Sequence, residues 1–401
     1  MQSTAQGWLV YKITGSAFYL GLVAAMSTLP VLFLTLPAGS LADRWPKRKL
    51  LLITQTVLLL QALALGILDA TGHIQPWHIM ALALVAGTAM ALDAPARQSF
   101  TYELVGKEDL LNGVALNSGI FNFTRIIGPT IAGLVVAAYG THICFIMNSI
   151  SYIAALAALL MMRNVPTTGH GRKDPIFKQT MEGLRYCFSD LLTRELLILT
   201  AIISIFCMQY QSLMPAYARK DLGLDARGLG LLMSAAGVGA LLGAGIVASA
   251  GGRLRSSAII LFGSIVMPIG LLGASMSGSL PVSIVIPLGL LRVSMSGSLL
   301  ISMLCIAVIG LGMMSFLAVS NSLILMNAPD DMRGRVMAVR TLVFMGLAPI
   351  GAMLLGWTAQ HYSVGSAMRL GAIACSFATV AIIIRGKVIF NTDKVKTAAS
   401  E

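Results

Sequence analysis

The feature that most constrains this chain is a succession of apolar runs, each about 20 residues long, parted by short segments that hold nearly all the charge. A helix rises ~1.5 Å per residue, so about 20 residues cross the ~30 Å hydrocarbon core of a bilayer. Backbone groups in that core must be satisfied within the segment, which favours helices. The runs predict membrane helices at 1–14, 17–41, 50–69, 78–95, 111–138, 142–162, 193–216, 228–250, 256–275, 300–326, 335–358 and 366–385. The expected fold class is an all-α membrane protein. Charged residues make up 11% of the chain, against about 25% in a soluble domain. Forty glycines and 23 methionines suit close helix packing and adaptable surfaces.

A formal charge of +12 would suggest nucleic acid in a soluble protein. Here the cations mark the cytoplasmic side, and no nucleic-acid partner is expected. With the first loop placed outside, 21 Lys and Arg fall on the inner side and six on the outer. Arg125 alone is expected well inside a span. This bias orients both termini and the polar segment 163–192 of a multi-pass protein towards the cytoplasm. Within that segment Ile176, Phe177, Met181, Leu184 and Phe188 recur at helical spacing, which fits a surface helix or a plain linker. Five scattered cysteines without a CxxC pair, and histidines without ligand spacing, predict no metal site and no cofactor. No P-loop is present, so ATP is not expected as the energy source, and nothing suggests an enzyme.

The two halves match in parallel. Gly39-Ser40-Leu41-Ala42 ahead of Lys47 and Lys49 corresponds to Gly245-Ile246-Val247-Ala248 ahead of Arg253 and Arg255. Gly128-Pro129 corresponds to Ala348-Pro349. Such a repeat predicts two six-helix bundles, 1–162 and 193–385, joined by the cytoplasmic linker 163–192 and followed by a cytoplasmic tail, 386–401. The offset between the halves lengthens late in the chain because Ser264–Leu272 and Ser275–Leu280 recur as Ser283–Leu291 and Ser294–Leu299. The duplicated segment 283–299 is expected to remain on the outer side. The same offset implies that the first helix is N-terminally truncated, since about 14 residues fall short of a full crossing.

Asp93, in Asp93-Ala94-Pro95-Ala96-Arg97, stands near the inner end of the fourth helix. It is expected to face Lys47 and Arg48 or to be solvated as an ordinary helix end. Pairing with Arg97 across one turn is disfavoured by Pro95. Burying Arg125 costs about 2.5–3.5 kcal/mol or more, which predicts a cavity or a partner for it. That points to an anionic-substrate or coupling site, with a structural tie to a helix end as the alternative. Gly128-Pro129 predicts a helix kink. No acid falls in the middle of a span.

Gly39-Ser40-Leu41-Ala42-Asp43-Arg44-Trp45-Pro46-Lys47-Arg48-Lys49 resembles the signature loop of the major facilitator superfamily, with Pro46 for the usual Gly and Lys47 for the usual Arg. Ala94-Pro95-Ala96-Arg97-Gln98 and Asp331-Met332-Arg333-Gly334-Arg335-Val336-Met337 are similar to the bacterial drug and siderophore exporter branch, which includes enterobactin and macrolide exporters. The resemblance implies the major-facilitator fold, working as a monomer in the lipid bilayer of the bacterial inner membrane by alternating access. It implies a proton-coupled exporter, an efflux antiporter, of amphipathic small molecules such as drugs or a siderophore. It further implies a gating charge network of Gly39, Asp43, Arg44, Lys47, Arg48, Asp93, Arg97, Asp331, Arg333 and Arg335. Gln6, Trp8, Tyr11, Asn117, Asn122, Arg125, Met208, Gln209, Gln211, Met314 and Asn321 are candidates for a central pocket, or for plain helix packing. A lipid or metabolite carrier, a non-transporting receptor and an inactive truncated remnant remain open.

Overall fold

The computed structural model describes residues 1–105, 110–162, 176–250, 256–277, 297–329 and 332–385, all in helices and their connections, with no strand among them. The first six helices are α1 (Gln2–Thr14), α2 (Ala17–Arg44), α3 (Lys47–Ala70), α4 (Pro76–Val105), α5 (Leu110–Tyr139) and α6 (Thr141–Met161). A short helix, α7 (Ile176–Ser189), follows. The seventh span, Leu191–Asp221, comprises α8 (Leu191–Ile202) and α9 (Tyr210–Ala216) with a wider π-type turn after each. Then come α10 (Ala226–Ala250), α11 (Ser256–Ser277) and α12 (Gly297–Asn327). The span Arg333–His361 comprises α13 (Arg333–Gly346) and α14 (Ala348–His361), and α15 (Val364–Arg385) ends the series. Ten of these spans are long and apolar enough to cross a membrane, and α5 carries a shorter apolar stretch, Phe123–Tyr139.

The expected spans are present, and several run further than hydropathy indicates. Helix α4 continues past Pro95 to Val105, because one proline removes a single backbone donor and leaves the following turns intact. The duplicated segment 283–299 lies outside the described residues up to 296, and only its last residues enter α12. The seventh span has local reasons for its wide turns. The Met208 amide donates to the Ile203 carbonyl at 2.8 Å, and the Gln209 side chain donates to the Ser204 carbonyl left over. In the eleventh span the break at Leu347 precedes Pro349, which has no N–H to continue the ladder.

One end of the molecule carries Lys47, Asp190 and Arg333, and the other carries Gly15, Gly140 and Gly223. Among the first six helices, α2 packs on α4, and α3 on both α4 and α6. Among the later ones, α12 packs on α10 and α11, and α11 on α15. Two seams join the groups: α5 runs along α10, and α2 along α14. Both seams are tightest towards the Gly15 end. A Cβ on Gly133 would stand 2.5 Å from the Ala226 carbonyl oxygen and 3.0 Å from the Gly230 Cα, and one on Gly21 would stand 3.0 Å from the Gly356 Cα. Towards the Lys47 end the first seam parts. Gly119 on α5 and Gly245 on α10 would meet nothing within 4 Å, and Gly119, Ile120, Phe123 and Thr124 are all exposed.

Helix α7 tucks against α13 rather than lying on its own. Arg335 Nη1 donates to Glu182 Oε2 at 2.6 Å, and Gly183 lets the helix approach the Arg335 backbone. Leu184 and Cys187 turn into the core while Met181 and Phe188 stay exposed. Burial, aided by nearby Asp190, pushes the Cys187 thiol up to about 11. The Asp190 carboxylate accepts the Thr193 amide at 2.9 Å, capping α8, and the Asn327 side chain at 2.7 Å.

Candidate functional site

Two cavities lie side by side around α1. The larger, about 520 Å³, is lined by Gln2, Thr4 and Gln6 of α1, by Asn148 and Tyr152 of α6, and by Gln211 of α9, among others. Its polar wall is a chain of amides: the Asn148 side chain donates to Gln2 Oε1 at 2.6 Å, and Gln2 Nε2 donates to Gln61 Oε1 at 2.8 Å. The Nε2 of Gln61 is buried without a protein partner. Three apolar helices, α1, α3 and α6, are therefore tied through groups that need one another once water is excluded.

The smaller cavity, about 210 Å³, is lined by Thr124, Arg125 and Pro129 of α5, Tyr210, Gln211 and Met214 of α9, and Met233 of α10, with Ser3 and Thr4 from α1. Arg125 is half-buried there and makes no ion pair with any described residue. The buried Tyr210 hydroxyl has Gln211 beside it in the lining but makes no close hydrogen bond among the described residues. Pro129 leaves the Arg125 carbonyl without its usual intrahelical donor, while α5 continues as one helix through it. Helix α10 packs against α5 at this level. Gly237 comes up against the Arg125 carbonyl, and Ser234 donates to the Ile126 carbonyl at 2.6 Å and meets Thr130 at 2.5 Å. A half-buried cation with a buried hydroxyl beside it is suited to an anionic group.

The candidate pocket residues separate on this geometry. Gln6, Gln211 and Arg125 line the two cavities. Trp8 lies at a third cavity towards the Gly15 end, and Tyr11 is buried in the core. Gln209 is buried and spent on the Ser204 carbonyl, while Met208 packs on the core. Met314 and Asn321 are half-buried on α12 and line neither central cavity. Asn117 and Asn122 lie on α5, with side chains outside the described part. Sequence reasoning misses Gln2, Asn148, Tyr152 and Tyr210. The readable signal is the i, i+4 pair Gln2 and Gln6 and a lone amide, Asn148, inside an apolar run.

At the Lys47 end Asp93 is only 3% exposed. Its Oδ1 accepts the Thr54 hydroxyl at 2.8 Å and the Gln55 amide at 2.7 Å, and its Oδ2 accepts Arg97 Nε at 3.0 Å. The pairing that Pro95 is expected to discourage is therefore made. Because α4 stays helical, positions 93 and 97 keep one face. Arg48 does not join this carboxylate. It donates through Nε and Nη2 to the Leu159 and Leu160 carbonyls, each at 2.8 Å, and so caps the last turn of α6. Arg333 donates to the Leu325 carbonyl at 3.2 Å, and Arg335 pairs with Glu182. Lys47 opens α3. Gly39, Asp43 and Arg44 lie on the last turns of α2 with side chains outside the described part, and Asp331 lies outside the described residues.

Arg125 is also not the one cation within a span. Arg340 sits on α13 inside the span Arg333–His361, donating to the Leu317 carbonyl of α12 at 3.4 Å with its Nε buried and unpartnered. Its nearness to Arg333 and Arg335 in the chain groups it with the loop cations, and the structure corrects that.

Comparison with known proteins agrees with this architecture. The family model described as transmembrane secretion effector, MFS_3, matches residues 1–401. The chain is 24% identical to the staphyloferrin A transporter of Staphylococcus aureus over 368 residues, 89% of this chain and 85% of that one. It is 25% identical to the multidrug efflux pump Tap of Mycolicibacterium fortuitum over 361 residues, 87% of this chain and 82% of that one. Its fold is similar to that of a mutant of the nucleoside transporter NupG, with a TM-score of 0.78 at 11% identity, covering 96% of this chain and 95% of that one.

Proposed function

The chain belongs to the transmembrane secretion effector family of the major facilitator superfamily, and from that premise we propose that it exports amphipathic small molecules bearing an anionic group by alternating access. Relatives named as a siderophore transporter and a multidrug efflux pump support the class of cargo. The observation that carries the anionic preference is Arg125, half-buried without an acidic partner among the described residues, beside the buried Tyr210 hydroxyl. We read α1–α6 and α8–α15 as two six-helix bundles, with α7 as part of the linker. The cation-rich Lys47 end is taken as cytoplasmic by the positive-inside bias. On that reading the seams closed near Gly133 and Gly21, and parted near Gly119, describe an inward-open state. Export against a gradient requires coupling, and the proton-motive force is the proposed source.

Everted membrane vesicles test this, since they turn the Lys47 end to the medium. Energised vesicles containing the protein are expected to accumulate carboxyfluorescein over vesicles without it, to lose that accumulation on adding an uncoupler, and to lose it in Arg125→Gln. Accumulation of the cation ethidium in place of carboxyfluorescein, or an Arg125→Gln variant as active as the parent, overturns the anionic reading. Accumulation that survives the uncoupler overturns proton coupling.

A further inference from the structure

The third cavity, about 420 Å³, opens at the Gly15 end, where Trp8 lies. It is lined by Trp8 and Lys12 of α1, Val136 of α5, Arg219 after α9 and Asp225 ahead of α10, among others. The Arg219 guanidinium lies over the Trp8 ring, 5.9 Å from its centroid. Lys12 and Arg219 are exposed. Asp225, the one acid in the lining, has its Oδ1 committed to the Arg227 and Gly228 amides, where it caps α10. Asp221, two residues beyond Arg219, does not line the cavity. Two exposed cations, one of them over the indole, stand beside Trp8, against the single carboxylate of Asp225.

Three elements line both this cavity and the Arg125 cavity. Helix α1 contributes Thr4 and Lys12, α5 Pro129 and Val136, and the seventh span Met214 and Arg219, while α10 gives Met233 to one cavity and the turn ahead of it gives Asp225 to the other. Buried Leu9, Ala132 and Leu229 lie between these residues in the chain. From Thr4 to Lys12 is eight residues, about 12 Å along the axis. The two cavities thus lie at successive levels of the same helices, and the α5–α10 seam is closed at Gly133, between Pro129 and Val136.

We infer that the Gly15-end cavity is a second binding site, on the release side, for a planar aromatic anion that stacks on Trp8 with its charge on Lys12 and Arg219. Stacking on indole with a cation beside it selects an aromatic ring, and two cations select a carboxylate or similar acid on it. This rests on the export reading for its place in the path, but the site itself stands on its own residues.

Dansylglycine is a suitable probe: an aromatic carboxylate that accepts energy from tryptophan. In detergent, a protein keeping Trp8 alone (Trp45, Trp77 and Trp357→Phe) is titrated and sensitised dansyl emission is followed. A saturable component is expected to survive Arg125→Gln, to be absent with neutral dansylamide, and to weaken on the order of tenfold in Lys12→Gln/Arg219→Gln, as two exposed ion pairs would give. Binding to the Arg125 cavity that persists in the double variant shows that it is folded. If no component survives Arg125→Gln, or the surviving one ignores the double variant, the second site is refuted. If Arg125→Gln changes nothing while the double variant, with an unchanged thermal unfolding midpoint in detergent, abolishes all binding, the second site stands and the Arg125 reading fails.

Discussion

Placing a single methyl at Gly133 should drive the protein out of the conformation described here. An alanine Cβ at that position would stand 2.5 Å from the Ala226 carbonyl oxygen, where ordinary contact begins at 3.4 Å, so α5 and α10 must part by about 0.9 Å at that level. Neither neighbour can yield alone, since both nearest groups are backbone. Overpacking of this kind costs about 1–3 kcal/mol. Alanine also raises helix propensity, but equally in every conformation that keeps α5 helical, so that gain cancels from the comparison. The equilibrium between this state and one open at the Gly15 end should therefore shift by about 5- to 150-fold. The readout is the rate at which a maleimide labels Leu9→Cys, a buried position on α1, in detergent-solubilised protein whose five native cysteines are replaced. When opening is fast relative to labelling, that rate follows the open population and should rise by the same factor. Gly245→Ala is the control on the same pair of helices, because nothing lies within 4 Å of its Cβ. Equal acceleration in both variants, or none in Gly133→Ala, refutes the argument.

Two further outcomes follow from the Lys47 end and from α7. Asp93→Ala leaves buried Gln55 and Thr54 donors without their acceptor and should cost about 2–4 kcal/mol, while Arg97→Ala removes a half-exposed pair and should cost about 0–1 kcal/mol. Thermal unfolding in detergent compares them, and equal losses would count against the assignment of the two amide and hydroxyl bonds as the tie. Burial favours the neutral Cys187 thiol and holds its titration near 11, so the reactive thiolate appears only as pH climbs towards that value. In a variant keeping Cys187 alone, maleimide labelling should still be rising about tenfold per unit between pH 9 and 10; a plateau at pH 9 would show an ordinary thiol.

Much of this architecture is legible in the chain because the bilayer requirement acts on each run separately. Hydropathy places nearly every span, and the helical spacing of Met181, Leu184 and Phe188 marks α7 before its partner α13 is known. Rotation about each helix is less legible. Gln209 and Gln211 look alike in sequence, yet the wide turn at Ile203–Cys207 shifts the register behind it, spending Gln209 on a carbonyl and leaving Gln211 to the cavities. Proximity misleads for Arg340, which reads as a loop cation beside Arg333 and Arg335 but begins the climb into the span. Backbone reasoning at Pro95 misses that a side-chain pair needs a shared face rather than an unbroken ladder. Arg125 is the opposite case: an isolated cation in a long apolar run announces a cavity from its cost alone.

Near Gly15 the hydroxyl of buried Tyr217 donates to the Ala274 carbonyl at 2.7 Å and lies 2.6 Å from the Ser277 hydroxyl and 3.0 Å from that of Ser302, which are 2.8 Å from each other. This knot pins the last turn of α11 to the first turns of α12 from a third helix. Nineteen residues, 278–296, connect the pinned ends, and removing them would join Ser275-Met276-Ser277 to Gly297-Ser298-Leu299, repeating the Ser-Met-Ser-Gly-Ser-Leu run found in each copy of the duplication. The two helix ends are therefore held to each other by this hydroxyl cluster, whatever length of chain joins them.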